Sequence, residues 1–79
     1  MYRYMPRIAS PKINPARIFS ARQEASMTQE QVARKMRCSV VTVGKYERGE
    51  RNPSPGALIR MAKALDKSPE YFYADRLAA

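Results

Sequence analysis

Two helix starts with barely a turn between them constrain this chain more than any other feature. Thr28-Gln29-Glu30-Gln31 is a capping box: the Thr28 hydroxyl accepts an otherwise unpaired N–H, and Gln31 reaches back to the cap backbone. Ser39, with Thr42 three residues on, starts a second helix in the same way. The first helix covers about residues 28–36, Arg37-Cys38 forms the turn, and the second helix runs to about Arg48. Gly49 then stops it, since glycine closes a helix in the left-handed conformation without a Cβ clash. Val32, Ala33 and Met36 share one face of the first helix, and Val43 and Tyr46 share one face of the second. The stretch from roughly Thr28 to Gly49 therefore reads as a helix-turn-helix.

The flanks read as more helix. Asn14-Pro15 is an N-cap followed by proline at the first helical position, predicting a helix to about Glu24 or Ala25. Ile18 and Ala21 should face inward, while the pattern leaves Phe19 undecided. Ser54-Pro55 restarts a helix, and Leu58, Met61, Ala62 and Leu65 follow the i, i+3, i+4, i+7 period. Asp66 suits the left-handed residue that ends it. Ser68-Pro69 should open a short fifth helix carrying Phe72 and Tyr73. No segment alternates with period two. The expected fold class is all-α, five short helices over residues 15–75, with 1–14 as a flexible, extended basic arm and 76–79 as a tail.

Size and charge narrow the function. Seventy-nine residues make one domain. A chain of this length buries only about 60% of its unfolded surface, enough for a modest core but not for an enclosed catalytic cavity as well. Fifteen Lys and Arg against seven acids give a net charge of +8, the footprint of a polyanion partner. A merely soluble domain could carry the same total, so position counts for more, and the excess lies in the first two thirds of the chain. Cys38 is the only cysteine and there is no histidine, so neither an internal disulfide nor a zinc site is expected. There is no Ser/His or Cys/His set, no metal-ligand spacing and no Gly-rich phosphate loop, so the expectation is a non-enzyme without cofactor. No apolar stretch is long enough to span a membrane, and the first residues lack the apolar run of a signal peptide. A cytoplasmic protein is expected.

The run TQEQVARKMRCSVVTVGKYERGERNPS closely resembles the Cro/C1-type helix-turn-helix family. The match includes Thr28-Gln29, Val32-Ala33, Ser39, Val43, Glu47-Arg48-Gly49 and Asn52-Pro53. It continues through the LxxMAxAL run from Leu58 to Leu65 and closes on Ser68-Pro69-Glu70. The resemblance implies a five-helix, lambda-repressor-like bundle that regulates transcription by binding operator DNA, with a palindromic site bound by a homodimer. It implies base contacts from Ser39, Val40, Val41 and Lys45, and phosphate contacts from Gln29, Thr42, Arg48, Arg51 and Asn52. It also implies a partly buried ion pair, Arg22 with Glu47, joining the first and third helices.

The residues support that assignment physically. Val41, Thr42, Lys45 and Arg48 fall at i, i+1, i+4 and i+7, on the face opposite Val43 and Tyr46. An exposed valine on a basic face suits a thymine methyl, and a lysine suits guanine O6 or N7. Ordinary core packing is the competing reading for Val40 and Val41, and a solvated side chain for Lys45. Three departures from the family pattern stand out. Arg37 occupies the turn position usually held by glycine. Gly44 lies inside the recognition helix, where glycine costs about 1 kcal/mol relative to alanine. Val40 and Val41 replace the usual amide readers, so specificity would lean on methyl contacts and DNA shape. Arg3 and Arg7 on the arm could enter a minor groove, or the arm could be only a solvated tail or a dimer-swapped strand. The alternative function is a protein-binding module, such as an antitoxin or accessory factor, contacting its partner through the arm or the aromatics at 71–73.

Overall fold

The computed structural model describes residues 12–73. Residues 1–11 of the expected arm (1–14), residues 74–75 of the expected domain and the whole of the expected tail, 76–79, lie outside them. Four α-helices form in order: α1 Pro15–Glu24, α2 Gln29–Met36, α3 Val40–Arg48 and α4 Pro55–Leu65. The fifth expected helix is a single 3-10 turn, Pro69–Phe72. Its start differs from the others in that Ser68 makes no side-chain cap hydrogen bond, which leaves a short, tight turn rather than an α-helix. Among the described residues the only extended pairing is one antiparallel bridge, Ile13 to Tyr73.

Each α-helix begins on its own side-chain cap. Asn14 accepts from the N–H of Ala16, Thr28 from Gln31, Ser39 from Thr42 and Ser54 from Ala57. The Thr28 box is complete, with the Gln31 Oε1 accepting from the Thr28 N–H at 2.8 Å. Three helices close on left-handed residues: Arg37, Gly49 and Asp66. Ser26, in the α1–α2 loop, is also left-handed at φ 56.

The apolar stripes converge on one core. Ile18 and Ala21 of α1, Val32, Ala33 and Met36 of α2, and Val43 and Tyr46 of α3 are buried with Ala57, Leu58, Met61, Ala62 and Leu65 of α4. Phe72, fully buried, closes the base. Phe19 faces outward and is 47% exposed, its ring under the Arg22 guanidinium at 5.3 Å. Helix α2 packs against α3 on one side and α4 on the other, and α1 braces α3. The Asn14 N–H donates to the Phe72 carbonyl at 2.8 Å, so the two ends of the described chain are tied together beneath the bundle.

Candidate nucleic-acid interface

The orientation of α3 is set from behind by one carboxylate. Glu47 accepts from Arg22 Nε at 2.6 Å, from Arg22 Nη2 at 3.1 Å and from Gln29 Nε2 at 3.0 Å. The Arg22 and Glu47 side chains are only 13% and 7% exposed. Arg22 also donates from Nη1 to the Met27 carbonyl at 3.0 Å. One cluster therefore joins α1, the α1–α2 loop, the first turn of α2 and the last turn of α3. A bidentate, hydrogen-bonded pair of this kind fixes geometry more reliably than it adds stability. Gln29, expected at a phosphate, is held by Glu47 at the α2 N-terminus, where the backbone N–H groups and helix dipole favour an anion.

In front, α3 presents the residues expected to touch bases. Val41 is 60% exposed and Val40 37%, so neither is core. Lys45 is exposed and makes no salt bridge among the described residues. Thr42 is half-buried. Ser39 is exposed, but its hydroxyl is engaged: Oγ accepts from the Thr42 N–H at 3.1 Å and lies 3.0 Å from Thr42 Oγ1. Val43 and Tyr46 are buried on the opposite side. Arg51 and Asn52 are exposed in the following loop, where Asn52 borders a cleft of about 240 Å³ shared with Lys12 and Tyr73.

Two of the departures acquire a structural meaning. Arg37 adopts φ 60, ψ 47, the left-handed conformation glycine would take more readily. Gly44 is buried, and its bare backbone faces the Arg48 side chain: a Cβ there would lie 3.1 Å from Arg48 Nη1 and 3.9 Å from Gln29 Oε1. The Arg48 guanidinium thus lies back over Gly44, close to the head of α2. It is held there by Glu50, whose Oε2 and Oε1 accept from Arg48 Nε at 2.7 Å and Nη2 at 3.2 Å. The pair lowers the Glu50 carboxyl and raises the Arg48 guanidinium, in both cases chiefly through the hydrogen bond between them. Glu50 was not among the residues expected from sequence; the alternation of charge in Lys45, Glu47, Arg48, Glu50 and Arg51 was the available signal. Beside the turn, burial raises the Cys38 thiol, partly offset by the positive charge of Arg60.

The helix-turn-helix family model matches residues 18–72, most of the chain, and covers all four α-helices except the first residues of α1. The chain belongs to the Cro/C1-type helix-turn-helix family, whose members are DNA-binding transcription regulators. Its solved relatives agree. The restriction-modification controller protein C.AhdI from Aeromonas hydrophila is 32% identical over 72% of this chain and 86% of its own, with a TM-score of 0.69. The P22 c2 repressor, solved in complex with a synthetic operator, is 27% identical over 80% of this chain and 96% of its own, with a TM-score of 0.74. The clp gene regulator ClgR from C. glutamicum is 27% identical over 71% of this chain and 73% of its own, with a TM-score of 0.67. A comparison with the curated proteins gives no match. The family fold is the lambda-repressor-like bundle, realised among the described residues as four α-helices and a 3-10 turn.

Proposed function

We propose that this protein is a sequence-specific, cytoplasmic transcriptional regulator, a repressor that places α3 in the major groove of duplex DNA and binds a palindromic operator as a homodimer. The observation that carries this reading is the split character of α3. One face is locked into the core and the Arg22–Glu47–Gln29 cluster, and the other holds Val41, Lys45 and Arg48 out to solvent. A valine exposed among cations is costly to leave in water and useful against a thymine methyl. Lys45, free of any carboxylate partner among the described residues, is the donor for a guanine edge. Gln29 at the α2 N-terminus and Thr42, Arg48, Arg51 and Asn52 around α3 supply the phosphate contacts that fix register. A helix of nine residues spans only a few base pairs, so two copies on a two-fold site are needed for useful selectivity.

Selection of sites from random duplex DNA, repeated at two salt concentrations, tests the reading. The expected result is a palindromic consensus and affinity that falls steeply with salt. Weak binding without a consensus would sink it and leave a protein partner as the function of the fold. Lys45→Ala should relax one base position, whereas Arg51→Ala should weaken all sequences alike.

A further inference from the structure

Arg48 is an exposed cation at the end of α3, yet its guanidinium already has an anion. Two N–H groups, Nε and Nη2, are donated to the two oxygens of Glu50 in the fork geometry that a phosphate would otherwise receive. Both side chains are more than half exposed, so the pair can open at little cost. The seat is built. Gly44 offers no Cβ where Arg48 Nη1 lies, and the left-handed Gly49 turns the chain so that the Glu50 N–H donates to the Lys45 carbonyl at 2.9 Å. That turn brings the Glu50 carboxylate back beside α3, within the field of Lys45 as well as Arg48.

We propose that Glu50 is an affinity-setting residue of the DNA interface: its carboxylate occupies on Arg48 the place of a DNA phosphate, and Arg48 engages duplex only by exchanging one anion for the other. The proposal rests on the reading of α3 as the DNA-binding face. The exchange is balanced in charge, because Arg48 leaves one anion for another while Glu50 keeps Lys45 as a neighbouring cation. It lowers binding to every duplex by a similar factor, so it tempers sequence-independent affinity, where phosphate contacts are the whole of the attraction.

A double-mutant cycle on Glu50→Gln and Arg48→Gln tests it, with all four proteins titrated against a random-sequence duplex at several salt concentrations. Glutamine is isosteric with Glu50 and removes its charge, and at position 48 it removes the guanidinium. Any loss of negative charge near DNA helps binding somewhat. The discriminating quantity is therefore the gain from Glu50→Gln with Arg48 present, compared with the gain in Arg48→Gln. The latch gives an extra gain of about twofold to fivefold when Arg48 is present. Equal gains in the two backgrounds, or a smaller gain with Arg48 present, overturn it. A second readout needs no DNA: by NMR the Arg48 Nε–H exchanges slowly with water in the wild type and faster in Glu50→Gln, whereas equal exchange overturns the latch. Absence of any duplex binding by the wild type at low salt would remove the DNA-binding reading and the latch with it. Binding with equal gains removes the latch alone.

Discussion

Gly44→Ala should make this protein more stable. Gly44 is an interior residue of α3 with ordinary helical backbone, so alanine there gains about 1 kcal/mol of helix propensity. What the added methyl meets decides whether that gain survives. The tightest neighbour of its Cβ is Arg48 Nη1 at 3.1 Å, the far end of a flexible, exposed side chain, and the next contacts are at 3.9 Å. The guanidinium can move a few tenths of an ångström outward without disturbing the core, so most of the gain is kept. For a domain of this size, about 1 kcal/mol corresponds to a rise in Tm of roughly 4–8 °C. Thermal unfolding followed by circular dichroism measures it, and urea unfolding should show a higher midpoint at unchanged slope. An unchanged or lower Tm would refute the reasoning, because it would mean that the methyl has no room and that Gly44 is required by packing.

Glu47→Ala removes three hydrogen bonds and strands a mostly buried Arg22 guanidinium with only the Met27 carbonyl. It should destabilise the domain by about 3 kcal/mol in urea unfolding, a loss a wild-type-like midpoint would contradict. Arg37→Gly relieves a left-handed non-glycine residue and should raise the urea midpoint by the equivalent of about 1 kcal/mol. Because the folded Cys38 thiol is raised by burial, less thiolate is present at a given alkaline pH than in the unfolded chain. Iodoacetamide should therefore alkylate it more slowly in the folded protein than in urea. By the same linkage, its contribution to stability is present below the ordinary thiol range and is lost as pH rises through the higher folded value.

The parts of this fold legible in the sequence are those whose interactions close within one helical turn. Asn14, Thr28, Ser39 and Ser54 each bond an N–H two or three residues on, so four residues suffice to read them. The core stripes are equally local, because a helix face is a property of spacing. Asp66 and Gly49 end their helices by backbone preference alone. The 3-10 turn at 69–72 looked like its neighbours in sequence, and its difference depends on Ser68 failing to bond, which the residue types do not reveal. Ser26 in the left-handed region escaped for a similar reason, since its conformation is imposed by the Arg22-to-Met27 closure of the α1–α2 loop. Side-chain partners across elements were the least legible from the residues themselves: the Arg22–Glu47 pair was expected only through the family resemblance, and Gln29 bonds a residue 18 positions away with nothing in its own neighbourhood pointing there.

Charge is where this difference matters most for function. Counted along the chain, residues 28–51 carry six bases and three acids, which suggests a broadly positive reading surface. In the fold, two of those acids stand on opposite sides of α3 and act in opposite ways. Glu47 lies behind it and uses Arg22, a cation from another segment, to hold the helix in place. Glu50 lies in front of it and occupies Arg48, a cation of its exposed face. Of the two basic residues on α3, only Lys45 then faces solvent without a carboxylate partner among the described residues. A surface that looks rich in phosphate contacts by count is thus lean at its centre. In the proposed reading, discrimination between sequences rests on Lys45 and the exposed Val41, and bulk affinity on the loop residues Arg51 and Asn52. On that reading, substitutions of Val41 or Lys45 should change which sequences are bound, and substitutions of Arg51 or Asn52 should change how tightly all are bound.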